Sequence, residues 1–147
     1  MFNWYTYRWL IERYHYVLKS GCGVEKLQRS TAERIKKALA TYAIVAWRLL
    51  WLLYQGKNHP EESCEEILTE DEWHSLYCYT EKKVYKQKKP PKIKTVIIWI
   101  AKLGGFLGRK NDLEPGIKSL WKGLRRLFDI NESWRLAKSS LQKDFKS

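Results

Sequence analysis

One long apolar stretch limits what this chain can fold into more than any other feature. Ala38–Tyr54 (ALATYAIVAWRLLWLLY) is apolar almost all round a helix, so other elements must cover it on several sides. Ser30 and Glu33 have the spacing of a capping box and Gly56 can stop a helix, which predicts a helix over residues 30–55. The stretch is slightly short for a membrane span and contains an arginine, so a buried helix is favoured over a transmembrane one.

Helical periodicity governs the rest of the sequence, which shows no convincing alternating strand pattern. Thr69 and Glu72 form a second possible capping box, and Asn131 is a candidate cap for the last helix. The predicted fold class is therefore all-α. The other predicted helices cover residues 3–19, 70–85, 94–106, 115–129 and 132–143.

The charge of the chain favours a polyanionic partner. Its 28 Lys and Arg residues against 16 acids give a net charge of +12, which suits nucleic acid or an acidic membrane surface. The lysine-rich segment from Glu81 to Lys94 is either a solvated linker or a strip that contacts phosphates. Three cysteines without a CxxC pair predict a reducing compartment. Cys64, His74 and Cys78 lack a common zinc spacing, which favours ordinary thiols.

The first predicted helix carries a narrow polar stripe opposite an apolar face. At about 100° per residue, Tyr5, Arg8, Glu12 and Lys19 fall within about 60° of one another. One interpretation is a solvated face on which Arg8 and Glu12 form an i,i+4 ion pair. The other is a phosphodiester site, in which the carboxylate holds a divalent metal while the bases and the phenol hold phosphates.

These four residues, in the pattern Y-x2-R-x3-E-x6-K, resemble the YREK signature of IS4-type, Tn5-like transposases. Three further blocks resemble the same family in the same order along the chain. They are IVAWRLL from Ile44, LTEDEWHSL from Leu68 and IAKLGGFLGRKNDLEPGIKSLWKGLRRL from Ile100. The resemblance covers about residues 1–130, and the sequence is identified as a member of this family.

The resemblance implies a role for each residue of the signature. Glu12 matches the third acid of the family's DDE triad, so it is implied to be a catalytic residue and a ligand of Mg²⁺ or Mn²⁺ in the full-length protein. Tyr5, Arg8 and Lys19 match residues that hold the DNA backbone of the transposon end. The family's two aspartates precede this helix, whereas Glu12 is the first acid of this sequence. We therefore expect this part alone to bind no metal and to perform no strand cleavage or transfer.

The resemblance also implies a division into two parts. Residues 1–56 match the C-terminal helices of an RNase H-like catalytic core, and residues 57–147 match a small helical dimerisation domain. Trp134 and Leu141, in the last predicted helix, are candidates for contact with a second copy. Alternatively, both side chains only cover the domain's own core.

Three functions are compatible with the sequence. The chain is the C-terminal fragment of a cut-and-paste DNA transposase, a non-catalytic protein that dimerises with full-length transposase and inhibits it, or a simple basic DNA-binding module. Transposon-end DNA and a transposase chain are the expected partners, and no membrane role is expected. The expected location is the cytoplasm of a bacterial-type cell, with the nucleoid.

Overall fold

The computed structural model describes residues 4–21, 31–84, 89–109 and 114–144. The chain is all-α, as predicted, and the described residues contain a single isolated antiparallel bridge, Ser63 with Lys92, and no strand. They form two compact units, residues 1–54 and 55–147. The helices are α1 (Trp4–Tyr16), α2 (Ala32–Asn58), α3 (Glu70–Glu81), α4 (Ile93–Leu103) and α5 (Ile117–Asp144).

The first unit contains α1 and most of α2. A π-helical turn, Val17–Gly21, follows α1 directly, and Val17 within it is fully buried. The Tyr14 hydroxyl donates a hydrogen bond to the Ala43 carbonyl at 3.2 Å, which ties α1 to α2. The predicted helix over residues 3–19 is therefore correct in place, but it changes from α to π geometry after Tyr16.

Helix α2 starts and ends later than the predicted range of 30–55. The Thr31 hydroxyl accepts a hydrogen bond from the Arg34 amide at 3.4 Å, whereas Ser30 lies outside the described residues. The helix then continues through Gly56 to Asn58. A Cβ at Gly56 would lie 2.5 Å from Ile97 Cδ1, so this glycine lets α4 approach the helix instead of ending it.

The apolar side chains of α2 are only partly buried, although the sequence predicts that they are covered on several sides. Ala46, Leu49 and Leu52 are fully buried, but Ile44 and Trp47 are 70% and 60% exposed. By length and composition alone α2 could cross a membrane, and 28% of its most apolar window is buried. Core helices of soluble proteins pass the same test.

The second unit is built on α3, α4 and α5, which all pack against one another. Its fully buried side chains are Leu76 of α3, the α4 residues Ile93, Val96 and Ile100, and Leu120 of α5. Helices α4 and α5 come unusually close, since a Cβ at Gly104 or Gly123 would lie 1.8 Å from a carbonyl oxygen of the other segment. The two glycines set the distance between the helices.

Helix α3 begins at the predicted residue. The Glu72 carboxylate accepts a hydrogen bond from the Thr69 amide at 2.9 Å, as the capping box requires. The helix ends at Glu81, earlier than predicted, because Lys82 takes a left-handed backbone conformation with φ of 55°. The predicted end, Tyr85, lies outside the described residues. Helix α4 likewise ends before the predicted Phe106, at Leu103, and Gly104 is its C-cap.

The last two predicted helices are a single helix, so the predicted cap at Asn131 is wrong. Helix α5 runs unbroken from Ile117 to Asp144. Nothing in this segment breaks a helix, because it has no proline and its one glycine, Gly123, is held by packing. The Ser133 hydroxyl donates to the Asp129 carbonyl four residues earlier, a bond made inside a continuous helix.

The segments before α3 and before α4 lie side by side. The Cys64 amide donates to the Pro91 carbonyl and the Ile93 amide donates to the Glu62 carbonyl, both at 2.9 Å. Beside them the Glu61 carboxylate accepts hydrogen bonds from Lys92, at 2.6 Å, and from Lys94. The bonds from Lys92 and then Lys94 lower the pKa of Glu61 from 4.5 to about 2.

We expect Glu61→Gln to lower the melting temperature at neutral pH, because two ammonium groups lose their anionic partner. A carboxyl pKa that is lower in the folded state stabilises the fold fully above pH 4.5, and this contribution is lost as the pH falls towards 2. Scanning calorimetry should therefore show the wild-type and variant melting temperatures converging over that range. The control, Glu132→Gln, removes the same charge from an exposed site on α5. If both variants lowered the melting temperature equally at every pH, the prediction would be contradicted.

Candidate functional site

The polar stripe predicted on α1 is present in part. Arg8 Nε donates to Glu12 Oε1 at 3.0 Å, and both side chains are exposed. Tyr5 belongs to α1, but its side chain lies outside the described part of the structure. Lys19 is exposed within the π-helical turn, so the uniform α-helical spacing that placed it on the stripe does not hold after Tyr16.

The ion pair between Arg8 and Glu12 is the arrangement that the simpler interpretation of this helix predicts. An exposed pair at this spacing stabilises a helix by about 0.3–0.5 kcal/mol. The described residues contain no group of three or more His, Cys, Asp or Glu able to hold a metal ion. One carboxylate paired with an arginine does not fit a two-metal site, so Mg²⁺ or Mn²⁺ would need carboxylates from outside the described residues.

The lysine-rich segment from Glu81 to Lys94 does not act as one uniform strip. Lys92 and Lys94 are paired with Glu61, which gives them a structural role in the junction before α4. Residues 85–88 lie outside the described part of the chain. The start of the segment, near Lys82, remains a candidate for phosphate contact.

The cysteines of the second unit show no sign of catalytic use. Cys64 is fully buried, and its burial, followed by the nearby Glu65, raises the pKa of the thiol to about 12. Cys78 is half-buried and unoxidised. His74 instead packs on the Trp73 ring, with centroids 3.7 Å apart.

The C-terminal half of α5 extends beyond the core of the second unit. Helix α3 lies antiparallel to it, since Arg126 Nη2 donates to the Tyr79 hydroxyl at 2.8 Å and Lys138 Nζ donates to Asp71 at 2.9 Å. Asp71 is the second residue of α3, so α5 continues past the end of its neighbour. The last turn and a half of α5 therefore lies beyond α3.

A heptad stripe runs the length of α5 and is defined by residues seven apart: Leu120, Leu127, Trp134 and Leu141. Its burial falls steadily along the helix. Leu120 and Leu127 are 0% and 1% exposed, Trp134 is half-buried, and Leu141 is 60% exposed. Seven-residue spacing keeps all four side chains near one face, at one of the two heptad positions that pair helices in coiled coils. The stripe therefore begins in the core and ends on the surface.

Comparison with known families identifies the domain that contains the α5 heptad stripe. Residues 44–143, about two thirds of the chain, match the family described as the Transposase Tn5 dimerisation domain. The chain belongs to this family.

The match places the predicted contact residues inside the Tn5 transposase dimerisation domain. The domain begins at Ile44 in α2, includes all of α3 and α4, and reaches Lys143 in the last turn of α5. Trp134 and Leu141 therefore lie within it, whereas the α1 stripe lies outside the matched residues. The chain thus contains a Tn5-like transposase dimerisation domain, which indicates a transposase-related function.

Sequence reasoning missed two features of this domain. Phe128 is 66% exposed on α5, outside the heptad stripe, and no local pattern distinguished it from a core residue. The heptad stripe itself was readable from the spacing of its four residues. The predicted break at Asn131 concealed it, because a helix end there would have put the two halves of the stripe on different helices.

Proposed function

We propose that this chain is the C-terminal part of a cut-and-paste DNA transposase, and that it pairs two transposase chains through the exposed end of the α5 heptad stripe. One observation supports this most directly. The stripe leaves the core at Trp134 and reaches Leu141 on the surface, inside a domain whose family is described by dimerisation. Pairing two such helices would bury side chains that a single chain leaves in water.

Introduction of a charge at the exposed end of the heptad stripe tests the pairing. We expect the wild-type chain to have the mass of a dimer in light scattering. Leu141→Glu should raise the dissociation constant of the dimer at least ~30-fold, as for a contact residue whose loss costs ~2 kcal/mol. Leu141 is exposed, so circular dichroism should show unchanged helix content. The matched control is Leu107→Glu, which changes an equally exposed leucine in the loop after α4.

Two results would contradict the pairing surface. The first is a wild-type chain that stays monomeric over the full concentration range. The second is a Leu141→Glu variant that remains a dimer. That result would indicate that the interface lies on another face, such as the one that carries Phe128.

For the α1 stripe we propose a role only in a complete transposase. Tyr5, Arg8 and Lys19 would hold the backbone of the transposon end, and Glu12 would be one carboxylate of a metal site completed by two aspartates from elsewhere. The support is the resemblance of the four residues to the family signature and the exposure of the Arg8–Glu12 pair. The genomic sequence directly upstream of Met1 tests the proposal, since in-frame coding text with two suitable aspartates would support it and non-coding text would count against it.

We propose inhibition of transposition as the alternative function, because a dimerisation domain can pair with an intact transposase. A dimerisation domain that is produced without a catalytic core would occupy one half of a transposase pair and block it. This would take place in the cytoplasm, next to the nucleoid. Co-expression with intact transposase tests this. We expect co-purification and a lower transposition frequency, both abolished by Leu141→Glu; unchanged frequency without co-purification would exclude the role.

A further inference from the structure

Two cations from different helices meet on one tyrosine at the end of α3. Arg126 of α5 donates from Nη2 to the Tyr79 hydroxyl at 2.8 Å. Lys82, the residue that ends α3, places its ammonium nitrogen 4.2 Å from the centroid of the same ring. We name Tyr79, Lys82 and Arg126 the cation cluster. It lies entirely within the second unit, whereas the α1 stripe belongs to the first.

The two cations of the cluster are exposed, so an anion from solution can reach them. Like charges repel, and neither cation has a carboxylate partner among the ion pairs described for this unit. Lys82 also has a φ of 55° and is the one residue other than glycine with positive φ in the described part of the chain. A helix usually ends this way with glycine, because a Cβ is strained in the left-handed region.

The surroundings of the cluster extend the positive surface. Lys118, Lys122, Arg125 and Arg126 follow one another at intervals of four, three and one residues, which places them on one exposed face of α5. This row of cations ends at Asp129, one turn beyond Arg126. From Lys82 to Arg126 the sequence has fourteen Lys and Arg residues and two acids, whereas seven acids lie between Glu61 and Glu72.

The chemistry of the cluster fits a phosphate group. The Tyr79 hydroxyl accepts its bond from Arg126, so its own proton can be donated outwards, beside the ammonium of Lys82 and the other N–H groups of the guanidinium. Because Lys82 lies over a face of the Tyr79 ring, that face is not available for stacking on a base. Contact through the phosphate backbone is thus favoured over recognition of single-stranded bases.

We propose that Tyr79, Lys82 and Arg126 bind a phosphate of the DNA backbone, and that the exposed cations of α5 extend this contact along a duplex. The site follows from the geometry of the second unit. Only the choice of DNA among polyanions rests on the proposed transposase function. The dimerisation domain would then hold DNA directly, in addition to any contact made by α1.

Salt-dependent binding of a short random-sequence DNA duplex, followed by fluorescence anisotropy, tests the site. We expect Arg126→Ala to weaken binding ~10-fold at low salt and to reduce the slope of log K against log salt by about 1, as loss of one phosphate contact does. Arg135→Ala is the matched control, since it removes the same charge from an exposed position further along α5. This control variant should leave the affinity at low salt and the slope of log K against log salt nearly unchanged.

A second variant separates loss of binding from loss of folding. Lys82→Gly removes one cation and also relieves the left-handed strain, so the variant should melt at the same temperature as the wild type or higher while binding DNA more weakly. Equal weakening by Arg126→Ala and Arg135→Ala would overturn the proposal. Retention of DNA binding by Lys82→Gly, or dependence on Arg126 with anionic vesicles but not with the duplex, would overturn it too.

Light scattering on the same samples keeps this proposal distinct from the pairing surface. If Arg126→Ala keeps the wild-type mass but loses duplex affinity, the cluster acts in binding and not in dimerisation. If the wild type is monomeric and still binds DNA through Arg126, the pairing surface fails while the phosphate site stands.

Discussion

Gly123→Ala is expected to lower the melting temperature of the second unit by roughly 10–20 °C. A Cβ at this position would lie 1.8 Å from the Ile100 carbonyl oxygen and 3.0 Å from Ile100 Cγ2. The nearer contact is with backbone, so no rotamer change relieves it and α4 must move away from α5. Overpacking of this kind costs about 1–3 kcal/mol and occasionally more, and each kcal/mol lowers the melting temperature of a domain this size by about 4–8 °C.

Gly116→Ala is the control for the Gly123 prediction. An added Cβ at Gly116 meets nothing within 4 Å, so the same chemical change should leave the melting temperature unchanged or slightly raised. Thermal unfolding followed by circular dichroism compares the two variants directly. A Gly123→Ala variant as stable as Gly116→Ala would mean that α4 and α5 do not pack as closely as described.

Leu76→Ala is expected to remove about 2–5 kcal/mol from the free energy of unfolding. Leu76 is fully buried on α3, the helix that packs against both α4 and α5. Removing its side chain takes away transfer free energy and leaves a cavity. Because domains of this size are stable by only about 5–15 kcal/mol, the loss would bring the second unit close to its unfolding threshold.

Urea denaturation measures the Leu76 effect, with Leu107→Ala as its control. Leu107 is 66% exposed in the loop after α4, so truncating it should change the free energy of unfolding by less than about 0.5 kcal/mol. An effect of Leu76→Ala no larger than that of Leu107→Ala would contradict the described core. We also expect Leu76→Ala to weaken pairing of two chains, because α3 supports the helix that carries Leu141.

The start of α3 was predictable because its signal is local. Thr69 and Glu72 lie three residues apart, and their hydrogen bond begins α3 as the sequence indicated. The end of α2 was mispredicted because Gly56 is ambiguous by itself. It would end a helix exposed to solvent, but here Ile97, forty-one residues away, occupies the space where a Cβ would be. A contact at that sequence separation has no local signature.

The candidate sites divide in the same way. The residues of the α1 stripe could be selected from their spacing, and the pair between Arg8 and Glu12 is one that i,i+4 spacing favours. Trp134 and Leu141 were selected from their place in the last helix, but their position at the exposed end of a longer stripe depended on α5 being continuous. The cation cluster could not be predicted from the sequence, because Tyr79 and Arg126 are on different helices.

The sequence by itself determined the all-α class, the positive charge, the order of the helices and the family to which residues 44–143 belong. Helical periodicity and capping act over three or four residues, so they can be read along the chain. Only the tertiary structure decided which glycine ends a helix, which lysines pair with Glu61, and how far the α5 heptad stripe stays covered. These features depend on groups brought together across tens of residues by helix packing, and the spacing of neighbours in the chain does not encode them.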